Sequence, residues 1–185
     1  MEIRTTGIDG LLEVYPKIYR DDRGLFFEVF TPALQSQLGI SSAFVQDNFS
    51  FSKKNAIRGL HFQLPPFAQA KIVSVVKGRV LDVAVDLRKN SPTFGKAFSV
   101  ILDDEKHNML VIPEGFAHGF AALSDSCFFY KCSNVYHTKS ESGVIWNDPT
   151  LNINWGINSP VLSQKDLELP TLEELVRNSV ISPKD

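Results

Sequence analysis

Short apolar runs broken by turn residues set the pattern along this chain. KIVSVV gives way to KGR, VLDVAVDL to RKNSPTFG, KAFSVIL to DDEKHN, MLVI to PEG, HGFAAL to SDS and CFFYKC to SN. In VLDVAVDL the apolar residues Leu81, Val83, Val85 and Leu87 alternate with smaller or charged ones, the period of a half-buried strand. Short strands at such regular spacing predict an all-β sandwich or barrel. Two helices interrupt them. Thr31 before Pro32, with Gly39 behind, supplies an N-cap, a first-turn proline and a glycine stop. Thr171 and Glu174 make a capping box ahead of LVRNSVI. DDRG, residues 21 to 24, reads as a turn before a strand LFFEVF.

Composition narrows the possibilities. With 185 residues, 43% hydrophobic and 22% charged, the chain supports one good core, so one domain over 1–185 is expected, ending in a short helical segment from about 171. A formal charge of -2 argues against a general nucleic-acid binder, which needs a net basic face, while leaving room for one small anion held by a few cations. No apolar run suggests a signal peptide or a membrane span, so no membrane partner and a cytoplasmic location are expected. Cys127 and Cys132 fit no common zinc or redox spacing and are expected as buried free thiols.

Chemistry concentrates in IRGLHFQLPPFAQAK, residues 57 to 71, where one arginine, one histidine, two glutamines and a lysine interrupt apolar residues. A second dense stretch, IPEGFAHGF at 112 to 120, has the arrangement P-x-G-x-x-H, a tight turn before a strand that aims His118 inward. This resembles the second motif of the cupin superfamily, whose members are small jelly-roll β-barrels and whose first motif supplies two histidines and a glutamate to a metal. Lys71, seven residues before Gly78, stands where that carboxylate would be. An ammonium has no lone pair and repels a divalent cation. The site reads as converted from holding a metal to holding an anion, with Arg58, His61, Lys71 and His118 converging at the barrel mouth.

The runs DDRGLFFEVF, FVQDNFSFS, IRGLHFQ, PPFAQAK, GRVLDVAVDLRKNSPTFG, IPEGFAHGF, FFYKC, GVIWNDP and SQKD together resemble the dTDP-4-dehydrorhamnose 3,5-epimerase family, in order and spacing, over roughly residues 3 to 175. The resemblance implies a cupin-type jelly-roll barrel with short flanking helices. It implies epimerisation at C3 and C5 of a dTDP-linked 4-keto-6-deoxy sugar, dTDP-4-dehydro-6-deoxyglucose to dTDP-4-dehydro-rhamnose, with no metal and no cofactor. Both carbons flank the C4 ketone, so deprotonation leaves an enolate with its charge largely on O4. On the family's pattern His61 is the base, Asp166 its carboxylate partner, Lys71 the cation that quiets the enolate, and Tyr130 the acid on the opposite face. Arg23, Glu28, Gln46, Asn48, Arg58, His118, Glu141 and Lys165 match positions used around the sugar, diphosphate and nucleoside, and Tyr136 matches the aromatic that stacks on thymine. The family also implies a homodimer with exchanged N-terminal strands.

Blander readings stand beside these. His61 alone in an apolar strand is more often structural than catalytic, and Tyr130 alone is a core aromatic with its hydroxyl at a rim. Arg23 and Glu28 also read as a solvated turn and an exposed strand residue, Asp166 by composition as surface, His107 and His137 as surface loop residues, and Arg88 to Asn90 as a solvated turn. Ala70, where the family often has glycine, and Leu167 and Glu168, where arginine is frequent, depart from the pattern. Other classes are a single-site C3 or C5 epimerase, a metal-dependent cupin, and a catalytically silent sugar-nucleotide binding module.

Overall fold

The computed structural model describes residues 1–183. Its elements, in chain order, are β1 (Glu2–Thr5), β2 (Leu12–Tyr15), β3 (Tyr19–Asp21), β4 (Gly24–Phe26), α1 (Pro32–Gln37), β5 (Gln46–Ser52), β6 (Ile57–Gln63), β7 (Lys71–Lys77), β8 (Arg79–Asp86), β9 (Ala97–Asp103), β10 (Met109–Ile112), β11 (Phe116–Ala122), β12 (Ser126–Cys132), β13 (Glu141–Gly143), α2 (Gln164–Leu167) and α3 (Leu172–Arg177). Strand pairing is antiparallel in three sheets: β1-β2-β10-β7-β12-β5, β13-β6-β11-β8-β9, and the hairpin β3-β4.

The expected jelly-roll barrel is not what forms. The six-stranded sheet ends at β1 and β5 and the five-stranded one at β13 and β9, so neither closes on itself. The fold is all-β, built of open sheets. Alternation along a strand encodes which side chains face the core, and it does so identically for an open sheet and a closed one. Closure depends on which edges find partners, and that is a long-range property.

The two large sheets are joined by side chains rather than by backbone pairing. Val73, Val75, Leu110, Ile112 and Phe128 from one meet Val80, Ala84, Leu102, Phe116 and Phe120 from the other in one buried cluster. The outer face of the five-stranded sheet is covered too. Leu60, Phe62, Val83, Val85, Ala117 and Ala121 pack against Trp155, Leu172 and Leu175 of the C-terminal segment. Strand β8 is therefore buried on both faces instead of half-buried, and Asp82 and Asp86 are fully buried within it. On the six-stranded sheet, Leu34 and Leu38 cover only Val14, Ile72, Met109 and Val111. Phe49, Phe51 and Val76 stay 63%, 77% and 52% exposed.

Both expected helix starts form. Thr31 accepts from Leu34 N ahead of α1, and Thr171 and Glu174 complete the capping box of α3. The short α2 and a 3-10 turn at Thr138–Ser140 were not legible in the sequence. The strand read at LFFEVF reduces to the three-residue β4, which begins at the turn's own Gly24 and takes in only Leu25 and Phe26. Both cysteines are free, Cys132 buried and Cys127 half-buried.

Candidate active site

The site begins with a close approach of β6 and β11. A Cβ at Gly119 would lie 2.5 Å from Arg58 O, and one at Gly59, where φ is +110°, would lie 2.7 Å from His118 O. Only glycines allow the two backbones so near. Beside this contact His61 and His118 are cross-strand partners.

Each of these histidines has a carboxylate. His61 Nε2 lies 2.6 Å from Asp166 Oδ1, and His118 Nε2 lies 2.9 Å from Asp82 Oδ2. Asp166 sits in α2, whose N-cap Ser163 accepts from Asp166 N at 3.1 Å. Burial pushes the Asp166 carboxyl up, but hydrogen bonding and charge from His61, with further bonds from Ser163 and Gly59, outweigh it and leave the carboxyl below its ordinary value. An ionised carboxylate only accepts, so His61 Nε2 carries a proton and Nδ1 is the nitrogen free to take one. Asp166, 4% exposed, is thus not the surface residue its composition suggests.

Lys71 and Tyr130 come from β7 and β12 of the opposite sheet. They line one cavity of about 490 Å³ with Arg58, His61, His118, Lys165 and Asp166, walled on the apolar side by Phe120 and Phe128. Lys71 is 8% exposed, and among the described residues its ammonium makes no ion pair. Burial lowers its pKa, opposed by Cys132, Asp82 and Glu141. Burial raises the Tyr130 phenol, which therefore holds its proton at neutral pH. Arg58 donates to Ser52 Oγ at 2.9 Å and to Phe51 O at 3.1 Å and pairs with no carboxylate among the described residues, so its charge is available to a ligand. Among these residues no group of three or more His, Cys, Asp and Glu could hold a metal ion. The donor set, two histidines already engaged by carboxylates beside a lysine, suits an anion.

A smaller adjoining pocket of about 140 Å³ shares His61, Lys71 and Tyr130 and adds Gln46, Tyr136 and Glu141. Glu141 Oε2 accepts from Tyr136 OH at 2.5 Å and pairs with Lys165 Nζ at 2.6 Å. Asn48 lines neither pocket; it stands two residues after Gln46 on β5 and accepts from Gln46 Nε2 at 2.9 Å. Two residues stay apart. Arg23 is bound to Asp21 of its own hairpin with its side chain 90% exposed, Glu28 is exposed, and neither lines either pocket.

Some residues defied their sequence context. His107 is buried rather than a surface loop residue, its ring 4.6 Å from that of Phe27, because the polar turn around it is covered by a remote segment. His137 is half-buried, stacked on Phe67 at 3.9 Å. Arg88 is tied to buried Asp86 at 2.8 Å and lies over Phe116 instead of in solvent. Asp82 was missed altogether. Its signal, a charge on the inward face of a strand, was masked by assigning that face to water.

Fold and site together define a protein of acid–base chemistry on an anionic ligand, with a histidine on one sheet, backed by an aspartate from α2, and a tyrosine and a lysine on the other sheet. The family model for dTDP-4-dehydrorhamnose 3,5-epimerase matches residues 5–174. A protein of that name from Shigella flexneri is 48% identical over 169 residues, covering 90% of this chain and 93% of its own. Another from Escherichia coli (strain K12) is 46% identical over 185 residues, covering 98% and 100%. The crystal structure of a dTDP-6-deoxy-D-glucose-3,5-epimerase from Legionella pneumophila, in complex with dTDP-4-keto-L-rhamnose, superposes with a TM-score of 0.93 at 44% identity, covering 100% of this chain and 98% of that one. The chain belongs to the dTDP-4-dehydrorhamnose 3,5-epimerase family. Among its described residues no helix is long and apolar enough to cross a membrane.

Proposed function

We propose that this epimerase acts on a dTDP-linked 4-keto-6-deoxyhexose, inverting C3 and C5 without a metal. The observation that carries the reading is the pairing of His61 with buried Asp166 on one wall of a cavity whose opposite wall supplies Tyr130 and Lys71. His61 Nδ1 takes the proton from the carbon beside the ketone, and the electron pair moves to O4. Lys71 meets that developing charge, helped by Arg58 and His118. A buried cation with no ion pair among the described residues gains most when an anion forms beside it. Tyr130 then returns a proton to the other face of the same carbon, which inverts it. The imidazolium and the phenolate exchange protons with water before the second carbon reacts.

The nucleotide would run from the smaller pocket to the rim of the larger cavity. In the smaller pocket Tyr136 offers a flat face to thymine and Gln46, with Asn48 next on its strand, an amide to the polar edges, while Lys165 and Arg58 of the larger cavity offer charge to the diphosphate. Arg23 and Glu28 are too remote to serve this copy, and the reading gives them to a neighbour. Exposed Phe49 and Phe51 on β5 and Val76 on β7 offer an apolar sheet face of the kind a second copy covers. The hairpin β3-β4 would then reach across it in a homodimer with exchanged N-terminal strands.

Proton NMR of turnover in deuterated water tests the reaction. Deuterium at both C3 and C5 is the expected result, and label at one carbon only would overturn double epimerisation.

A further inference from the structure

Gln63 has no part in the chemistry above, yet it is 6% exposed and both polar atoms of its side chain are engaged. Its Nε2 donates to Phe67 O at 2.6 Å and to Val135 O at 3.1 Å, and its Oε1 accepts from His137 N at 2.7 Å. Gln46 Oε1 accepts from Tyr136 N at 2.8 Å, and Gln69 Nε2 donates to Asn134 O at 2.8 Å. Residues 134 to 137 belong to no strand or helix. Their backbone is held instead, residue by residue, by three amide side chains, and the stack of His137 on Phe67 closes the clasp.

We propose that Gln63 is a positioning residue for nucleoside recognition, fixing the Tyr136 ring as a preformed platform at a set distance from His61. His61 and Gln63 stand two apart on β6, so they face the same way about 7 Å apart along the strand, and both line the smaller pocket. The strand thereby sets the spacing between the base that works on the sugar and the segment that carries the platform. Without Gln63 the segment must be ordered when the nucleotide arrives, and that ordering is charged against affinity. The inference rests on Tyr136 being the thymine platform.

Thymidine diphosphate and inorganic pyrophosphate binding, measured by calorimetry on the full chain, separates the two ideas. Tyr136→Ala is expected to weaken thymidine diphosphate roughly 5- to 100-fold through lost stacking. Gln63→Ala is expected to weaken it roughly 3- to 30-fold, to leave pyrophosphate affinity unchanged, and to add nothing in the double variant, because it acts through Tyr136. In turnover the same variant raises KM with kcat within about threefold of the parent. Gln63→Met, which keeps most of the volume, adds no charge and loses all three bonds, gives the same pattern and serves where the cavity left by alanine makes that variant fold poorly. Unchanged thymidine diphosphate affinity in both Gln63 variants, additive losses, or equal loss of pyrophosphate overturns the clasp while leaving the platform intact. Unchanged affinity in Tyr136→Ala overturns the platform and the clasp with it.

Discussion

Replacing Asp166 by asparagine removes one charge and almost no volume. In the proposed mechanism the ionised carboxylate, 2.6 Å from His61 Nε2, fixes the tautomer and faces the positive ring once His61 has taken a proton. Opposite unit charges about 4 Å apart attract by about 4 kcal/mol at an effective dielectric near 20. The His61 side chain is 31% exposed, so solvent screens part of this, and a loss of about 2–4 kcal/mol is the working range. At 1.36 kcal/mol per decade, kcat/KM falls about 30- to 1,000-fold. Asparagine can also present its amide to Nε2, which moves the ring proton to Nδ1 and takes away the acceptor. The assay is turnover of the dTDP-linked 4-keto sugar, coupled to a reductase acting on the epimerised product, with thermal melting to certify the fold. A folded variant whose kcat/KM stays within about threefold of the parent would refute the assignment of His61 as a base poised by Asp166.

Tyr130→Phe removes the proposed acid and leaves the proposed base, so C3 and C5 protons continue to wash out into deuterated water while inverted product falls at least about 100-fold; equal loss of both signals contradicts separate faces. Lys71→Met abolishes turnover but raises the melting temperature, because a lysine whose folded pKa lies below its ordinary value is destabilising wherever it remains charged; each 1 kcal/mol recovered is worth roughly 2–4 °C. Asp86 is held at about 2 against an ordinary 3.8, although burial pushes it up, by Arg88, Thr93 and Ser91. Its contribution of about 2 kcal/mol is complete above pH 3.8 and is lost as pH falls toward 2, so the acid unfolding of Asp86→Asn loses that part of its pH dependence. Phe49→Glu places a charge on the exposed apolar face and shifts the proposed homodimer toward monomer in light scattering at unchanged secondary structure.

Much of the candidate site is legible in the sequence because its chemistry is dense and local. His61 and Lys71 lie in one 15-residue stretch, His118 follows a Pro-x-Gly turn whose Gly115 has φ +82°, and Asp166 ends SQKD, three residues after its Ser163 cap. Residue type, spacing and family likeness name them as candidates, and the structure brings them to one cavity. Partners were harder. Asp82 and Gln63 matter through contacts with His118 and with residues 134 to 137, and nothing in VLDVAVDL or LHFQ announces those contacts.

By itself the sequence determined the six strands from β7 to β12, the helix caps at Thr31 and Thr171 and the residues that carry charge, since alternation, capping and turn formation depend on neighbours a few positions away. Only the tertiary structure decided that two open sheets face each other instead of closing a barrel, that both faces of β8 are dry, and that Lys71 sits buried with no ion pair among the described residues. Each of these turns on which distant surfaces exclude water from one another, and burial sets the energy of a charge far more than the identity of the residues beside it in the chain.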